Sequence, residues 1–446
     1  MAELPVDRED PRVNFIAAAT WHGTLERAEA ILAAHPGLAG SDIHIAAILG
    51  DDTAVQRFLE RDPGTATATS PPYGGDPLVH LCLSKYLRLD ASRSASFLRA
   101  AAALLDAGAD PNTGFWTTGK FPEFETALYG AAGVAHHAEM TRLLLARGAN
   151  PNDEEAVYHS PETGDNAAMK LLVETGRVTG DNLALMLIRK HDWHDYDGAK
   201  YLLEHGANPN GLRSRGWLPL HHALARDNNL IMFELLLDHG ADPTRINDGL
   251  SAIARAAREG RSDVLDLFRA RGIPIELHGV DRLVAACALG DAAAVRAIAD
   301  REPHLVTEVL AMGGDLLAKF SGTGNSPGVR RLLDLGVDVA APFTEGDSYF
   351  GIPANSLAIH VAAWRARPEV VGLLLARGSP VDVPDANGRT PLALAVRACV
   401  DSYWTEMRSP ESVKALLDAG ASVQGIQYPS GYTAVDDLLR QHGRRP

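Results

Sequence analysis

Apolar positions along this chain recur in two alternating patterns. The first is a leucine pair closing a helix-period stretch, followed by glycine, a small residue and a polar turn. It reads Leu104-Leu-Asp-Ala-Gly-Ala-Asp-Pro-Asn112, Leu144-Leu-Ala-Arg-Gly-Ala-Asn-Pro-Asn152 and Leu202-Leu-Glu-His-Gly-Ala-Asn-Pro-Asn210. Changed copies run from Leu236 to Thr244, Leu332 to Ala340, Leu374 to Asp382 and Leu416 to Gln424, and weaker ones end at Gly176 and Gly272. The second pattern is an opening turn followed by small apolar residues, as in Ser41-Asp-Ile-His-Ile-Ala-Ala47, Thr126-Ala-Leu-Tyr-Gly-Ala-Ala132, Leu218-Pro-Leu-His-His-Ala-Leu224, Leu357-Ala-Ile-His-Val-Ala-Ala363 and Thr390-Pro-Leu-Ala-Leu-Ala-Val396. Glycines of the first pattern, from Gly108 through Gly148, Gly176, Gly206 and Gly240 to Gly272, are spaced by 40, 28, 30, 34 and 32 residues. Gly336 lies 64 further on, and the last two intervals are 42 each.

Each period predicts two short helices. Pro or Thr at the opening turn suits the first helical position. Alanines let the first helix approach its neighbour, and the leucines stripe the second. Glycine supplies a left-handed C-cap, and Ala-Asp-Pro-Asn turns the chain into the next unit. One such unit cannot bury both its apolar faces alone, so neighbours must stack. The two phrases in this order closely resemble the ankyrin repeat, over about Asn14 to Leu439. The resemblance implies an all-α, ankyrin-like helical repeat solenoid of about twelve repeats with long finger-loop insertions. It also implies a concave groove lined by inner helices and fingers, where partners bind, and a convex back of Leu-Leu helices. We read 1–446 as one solenoid, with an atypical N-terminal repeat over 1–40 and main repeats over 41–275. Degenerate repeats follow over 276–330, then C-terminal repeats and a cap over 331–446.

Departures from the repeat mark the candidate sites. The long intervals hold aromatic fingers: Thr113 to Glu125, with Phe115, Trp116, Phe121 and Phe124, and Ala341 to Asn355, with Phe343, Tyr349 and Phe350. Further aromatic segments are Val157 to Ser160, His191 to Asp197 and Asp401 to Trp404. Aromatic surface loops bind partners or pack over their own scaffold. The two positions after each small-residue phrase should face the groove. Eight of these 22 are Lys or Arg: Lys85, Arg189, Lys190, Arg226, Arg258, Lys319, Arg365 and Arg397. That is a basic seam suited to an anion, although arginine stems also pack on neighbouring helices at such places.

Composition bounds these readings. Apolar residues at 46% and charged residues at 22% fit a folded chain and exclude long disorder. A net charge of −15 argues against a surface that binds nucleic acid or anionic lipid throughout. Aromatics are only 6% of the chain, which makes their collection in the fingers informative. Cys82, Cys287 and Cys399 stand too far apart for a Cys-x-x-Cys site and read as buried free thiols. The acidic N-terminus has no signal-peptide core, and no apolar run approaches the roughly 18 residues that cross a bilayer. A cytoplasmic protein without membrane attachment is expected.

Catalytic motifs mostly fail. Gly114 to Phe121 mimics a phosphate loop but ends in Phe121 where Ser or Thr must hold magnesium. Gly324-Asn-Ser326-Pro-Gly328 matches a nucleophile elbow without the preceding strand that elbow needs. His191, Asp192, His194, Asp195 and Asp197 are metal-ligand types that read as a solvated loop, and no metal or other cofactor is implied. His44, His80, His221 and His360 occupy the opening turn, where hydrogen bonding between turns is their job. Finger carboxylates Glu123, Glu125, Glu154, Glu155 and Glu345 serve acid–base chemistry only if a pocket sets them beside Arg or His.

Two functions follow. The first is a non-enzymatic scaffold holding a partner protein segment of acidic character in the concave groove. The alternative is an aromatic-finger pocket that binds, or transforms, a small anionic or aromatic molecule. Ligand-binding candidates are Trp116, Phe124, Tyr129, Tyr158, Arg189, Lys190, Trp193, Trp217, Arg226, Trp364 and Arg365. Nucleic acid is the least favoured partner.

Overall fold

A computed structural model describes residues 10–211, 216–402 and 407–443. The chain is described as two compact units, Met1–Pro219 and Leu220–Pro446. The finger segment around Tyr403 and Trp404 lies outside the described residues.

Unit 1 is a succession of helix pairs: Pro11–Ala19 with Glu26–Ala34, Ile43–Leu49 with Asp52–Arg61, and Pro77–Cys82 and Lys85–Leu89 with Ser94–Asp106. Then come Ala127–Tyr129, prolonged by a wide turn over Gly130–Val134, with Ala138–Ala146; Glu154–His159 with Ala167–Glu174; and Gly180–Asp192 with Tyr196–Glu204. Carboxylates start many of these helices, as where Asp42 accepts from the His44 and Ile45 amides at 2.8 and 3.0 Å. Gly148, after the leucine pair, has φ of 102°, a conformation that side chains resist. The turn asparagines link neighbours: Asn112 Oδ1 accepts from the Asn150 amide at 2.8 Å, and Asn152 Oδ1 from that of Thr179 at 2.8 Å. Inner helices meet almost backbone to backbone. A Cβ on Gly130 would lie 2.8–3.0 Å from main-chain atoms of Cys82 and Leu83.

Unit 2 repeats the plan with Pro219–Ala225 and Leu230–Asp238, Ala252–Arg258 and Ser262–Ala270, Gly279–Ala288 and Ala292–Arg301, and Gly313–Thr323 and Ser326–Asp334. It continues with Ala358–Trp364 and Pro368–Ala376, then Pro391–Val400 and Glu411–Asp418. Pro303–Ala311 is inserted between two pairs, and Thr433–Gln441 ends the unit. Among the described residues the fingers form three antiparallel two-stranded ribbons. They are β1 (Gly114–Trp116) with β2 (Phe124–Thr126), β3 (Ile246–Asn247) with β4 (Leu250–Ser251), and β5 (Pro342–Phe343) with β6 (Ser356–Leu357).

Both units make contacts beyond nearest neighbours, unlike a simple repeat stack. In unit 1, residues after the first helix reach the third pair: the Trp21 amide donates to Leu83 O at 2.7 Å, and Thr20 bridges Ser84. In unit 2, Arg365 pairs with Asp227 across 138 residues.

Candidate functional site

The β1–β2 hairpin sorts its side chains by the two-residue period of strands. Phe115 pairs with Glu125 and Trp116 with Phe124, so the first pair shares one face and the second pair the other. Phe115 and Glu125 are buried. Phe115 stacks on Tyr73, with centroids 5.1 Å apart, and meets the Trp21 ring edge-on at 5.6 Å. The outer face is left to solvent: Trp116 is 64% exposed, Phe124 37%, and Phe121 at the tip 76%. Trp116 and Phe124 touch each other at 5.2 Å, and Lys120 lies 5.3 Å from the Phe121 ring centroid.

Beneath the hairpin lies an acid–base cluster. Glu125 Oε2 is buried without a hydrogen-bond partner. Burial, then the negative field of Glu155 and Glu123, pushes the Glu125 carboxyl up to about 8. Tyr129 is buried beside it and accepts a hydrogen bond from Trp21; burial and the Glu125 field raise its phenol. The Tyr129 ring lies 5.2 Å from that of His159. His159 stands between two carboxylates, with Nε2 3.3 Å from Glu155 and Nδ1 3.0 Å from Glu162. Burial alone would lower its pKa, but the hydrogen bonds to Glu155 and Glu162 outweigh it and hold the imidazolium up to about 9. Arg189 joins Glu162 to Asp192 and lies over the Tyr158 ring at 4.1 Å. The structure thus sets Glu155 beside His159, and Glu162 between His159 and Arg189.

Two aromatic segments read as fingers are helical. Val157–His159 ends the inner helix Glu154–His159, capped by Asp153 on the Ala156 amide at 2.7 Å. His191 and Asp192 end Gly180–Asp192, followed by the turn that carries Trp193, itself 45% exposed. Among the described residues no group of three His, Cys, Asp or Glu is placed to hold a metal. The phosphate-loop mimic is the β1–β2 hairpin, and the nucleophile-elbow mimic runs from the C-cap of Gly313–Thr323 into the first turn of Ser326–Asp334.

The expected basic seam is corrected most. Each of its cations is engaged inside its own unit. Lys190 is fully buried, with Nζ 2.7 Å from Asp195 and 2.8 Å from Thr163 O, because its helix packs on the next. Lys85 donates to Ala18 O at 2.7 Å, Arg258 pairs with Asp281, and Lys319 with Glu259 and Glu345. Arg226 covers the Tyr349 ring at 4.2 Å, and Arg397 lies 5.4 Å from the Trp364 centroid. Arg365 is buried at 3.7 Å over the Phe350 ring; burial pulls its pKa down to about 10 against the field of Asp227. Trp364 donates Nε1–H to Phe350 O at 2.7 Å, and Trp217 in unit 1 is half-buried.

The long finger of unit 2 folds inward for the same reason. Phe343, Phe350 and Ile352 pack with Ala318 and Val361, and the space left among them is about 30 Å³, room for one or two waters. Tyr73, Asp227, Arg261 and Arg367 were not singled out from sequence. Asp227 has φ of 50°, which Asp tolerates better than most, but nothing in one sequence signals its distant partners.

A family profile described as ankyrin repeats (3 copies) matches residues 160–247 and 185–278. Residues 160–278 of the chain carry ankyrin repeats. A Danio rerio protein bearing the name palmitoyltransferase ZDHHC13 is 30% identical over 161 residues, 29% of this chain and 23% of that one. An Arabidopsis thaliana protein bearing the name E3 ubiquitin-protein ligase XBAT34 is 45% identical over 73 residues, 16% of this chain and 19% of its own. The chain thus spans about a fifth of the length of the curated relatives it matches. The solved human ASB11 ankyrin repeat domain aligns over 60% of this chain and 98% of its own, at 22% identity and a TM-score of 0.26. Ankyrin repeats are generally protein–protein interaction scaffolds. Opening-turn histidines bond between turns: His221 Nε2 to Leu250 O at 2.9 Å, and His360 Nε2 to Val383 O at 2.7 Å. No helix among the described residues is long and apolar enough to cross a membrane.

Proposed function

We propose that this chain is a non-enzymatic interaction scaffold that takes a protein partner on the outer face of the β1–β2 hairpin. The observation that carries this reading is the joint exposure of Trp116, Phe121 and Phe124 on a ribbon whose other face is anchored by buried Phe115. Large aromatics on a preformed support supply most of the energy at interfaces, because they bury area at little entropic cost. The docking surface is apolar; an acidic segment would need free seam cations, and those are engaged internally. Affinity capture from the native source, followed by titration of the captured protein, tests it. Trp116→Ala with Phe124→Ala should weaken binding at least tenfold, each hot-spot ring being worth about 2 kcal/mol, with the melting temperature unchanged. Undiminished affinity would overturn it.

A second reading is favoured by the unpartnered Glu125 oxygen. A buried, protonated carboxyl beside a phenol and an imidazolium suits a small polar molecule that accepts its proton. Screening small polar compounds by thermal shift at pH 7 checks it, since a true ligand must lose its effect in Glu125→Gln. Ligands that stabilise both chains equally would sink it.

A further inference from the structure

The bend that follows the first helix of unit 1 is held by cations that meet no acid. Trp21 and Gly23 both have positive φ, 73° and 100°, which turns the chain sharply between Pro11–Ala19 and Glu26–Ala34. Lys85 and Arg88 reach this bend from Lys85–Leu89, three residues apart and so on one side of that helix. Lys85 Nζ donates to Ala18 O at 2.7 Å and lies 3.5 Å from the place that a Gly23 Cβ would take. Arg88 Nη2 donates to Gly23 O at 2.6 Å. Arg27 stands in the first turn of Glu26–Ala34, near enough for its charge to act on Lys85. Three cations thus gather at one bend, where His22, Gly23 and Arg27 are exposed to solvent.

Their charges are not matched. Other cations of unit 1, Arg12, Arg99, Arg189 and Lys190 among them, pair with carboxylates. Lys85, Arg88 and Arg27 form no ion pair among the described residues. The acids closest to them are taken: Glu29 accepts the Tyr86 hydroxyl at 2.6 Å, and Glu162 lies between His159 and Arg189. Glu26 adjoins Arg27, but side chains one apart on a helix leave in different directions. What opposes the cluster is the carbonyl end of Pro11–Ala19, worth about half a charge. Most of three positive charges therefore remain, in a chain whose net charge is −15. Burial, then the fields of Arg88 and Arg27, lower the pKa of Lys85, and burial lowers that of Arg88. Arg88 Nε is also buried without a hydrogen-bond partner, a state that folded chains avoid. The two carbonyl bonds clasp the bend, yet neutral donors would clasp it as well; the unmatched charge asks for an anion.

We propose that the bend at His22 and Gly23 binds a phosphate group among Arg27, Lys85 and Arg88. A tetrahedral dianion accepts from several donors at once and cancels most of the surplus, which a single carboxylate does not. The assignment does not rest on the hairpin as a docking face. It is tested on the full chain by calorimetric titration with inorganic phosphate and with glycerol phosphate, against chloride at matched ionic strength. Saturable binding is expected, with a rise in melting temperature that grows with phosphate concentration. Tighter binding of glycerol phosphate would identify an organic phosphate as the ligand, and equal binding would identify free phosphate; both support the site. Arg27→Glu, at an exposed position, gives the cluster the carboxylate it lacks. That variant should keep or raise the melting temperature of the free chain and bind phosphate at least tenfold more weakly, whereas Arg27→Lys, which keeps the charge, should retain most of the affinity. Phosphate that stabilises no more than chloride, or wild-type affinity in Arg27→Glu, would overturn the proposal.

Discussion

Glu125 and His159 sit within one cluster and titrate in the same sense. Glu125 keeps its proton up to about pH 8 in the folded chain, against an ordinary glutamate value near 4.5, so between those limits the unfolded chain holds fewer protons. Stability from this group is whole below pH 4.5 and is lost as pH rises through 8. His159 behaves likewise, its contribution being complete below 6.5 and lost as pH rises through 9. Melting temperature should therefore fall from pH 7 to 9, above the range in which buried histidines with lowered values, His44 and His80 among them, add stability as pH rises. Glu125→Gln, which keeps the shape without the charge, should gain on the order of 2 kcal/mol over wild type at pH 8 and almost nothing at pH 5. A flat melting profile in the wild type would refute the assignment. At Asp227 the expectation is loss. Asp227→Asn keeps a side chain suited to positive φ but leaves the buried Arg365 uncompensated, and should cost about 3 kcal/mol in urea denaturation.

The β1–β2 hairpin shows how an element divides its labour between faces. Phe115→Ala should destabilise by about 3–5 kcal/mol, the usual cost of a buried phenylalanine. Trp116→Ala, on the exposed face, should stay within about 0.5 kcal/mol of wild type. Equal losses at the two positions in parallel melts would contradict the face assignment. Sequence made the helix pairs legible, because Leu-Leu-x-x-Gly and the alanine phrase are local signals of period and capping. It located the aromatic fingers of 113–125 and 341–355 for the same reason. The inward fold of Phe343 and Phe350 was not legible, since it depends on a cavity formed by distant helices. Nor was the helical state of Val157–His159: the segment carries an Asp153 cap signal, but its aromatics resembled those of the fingers.

At the scale of the molecule, the repeat grammar yields the units' helical content, whereas the division at Pro219/Leu220 leaves no mark in the phrase spacing. The seam failed for a related reason. Position within a repeat tells which way a cation leaves its helix, but not whether an acid from another repeat meets it, as Asp227 meets Arg365. That one pairing carries a cost during synthesis. Arg365 follows Asp227 by 138 residues, so at ordinary elongation rates the growing chain waits on the order of 10 s before the two can join. Through that interval the first helices of unit 2 stand on the ribosome without their closing clasp. A nascent chain stalled before residue 365 should accordingly be cut by protease within unit 2 at sites that the finished chain protects.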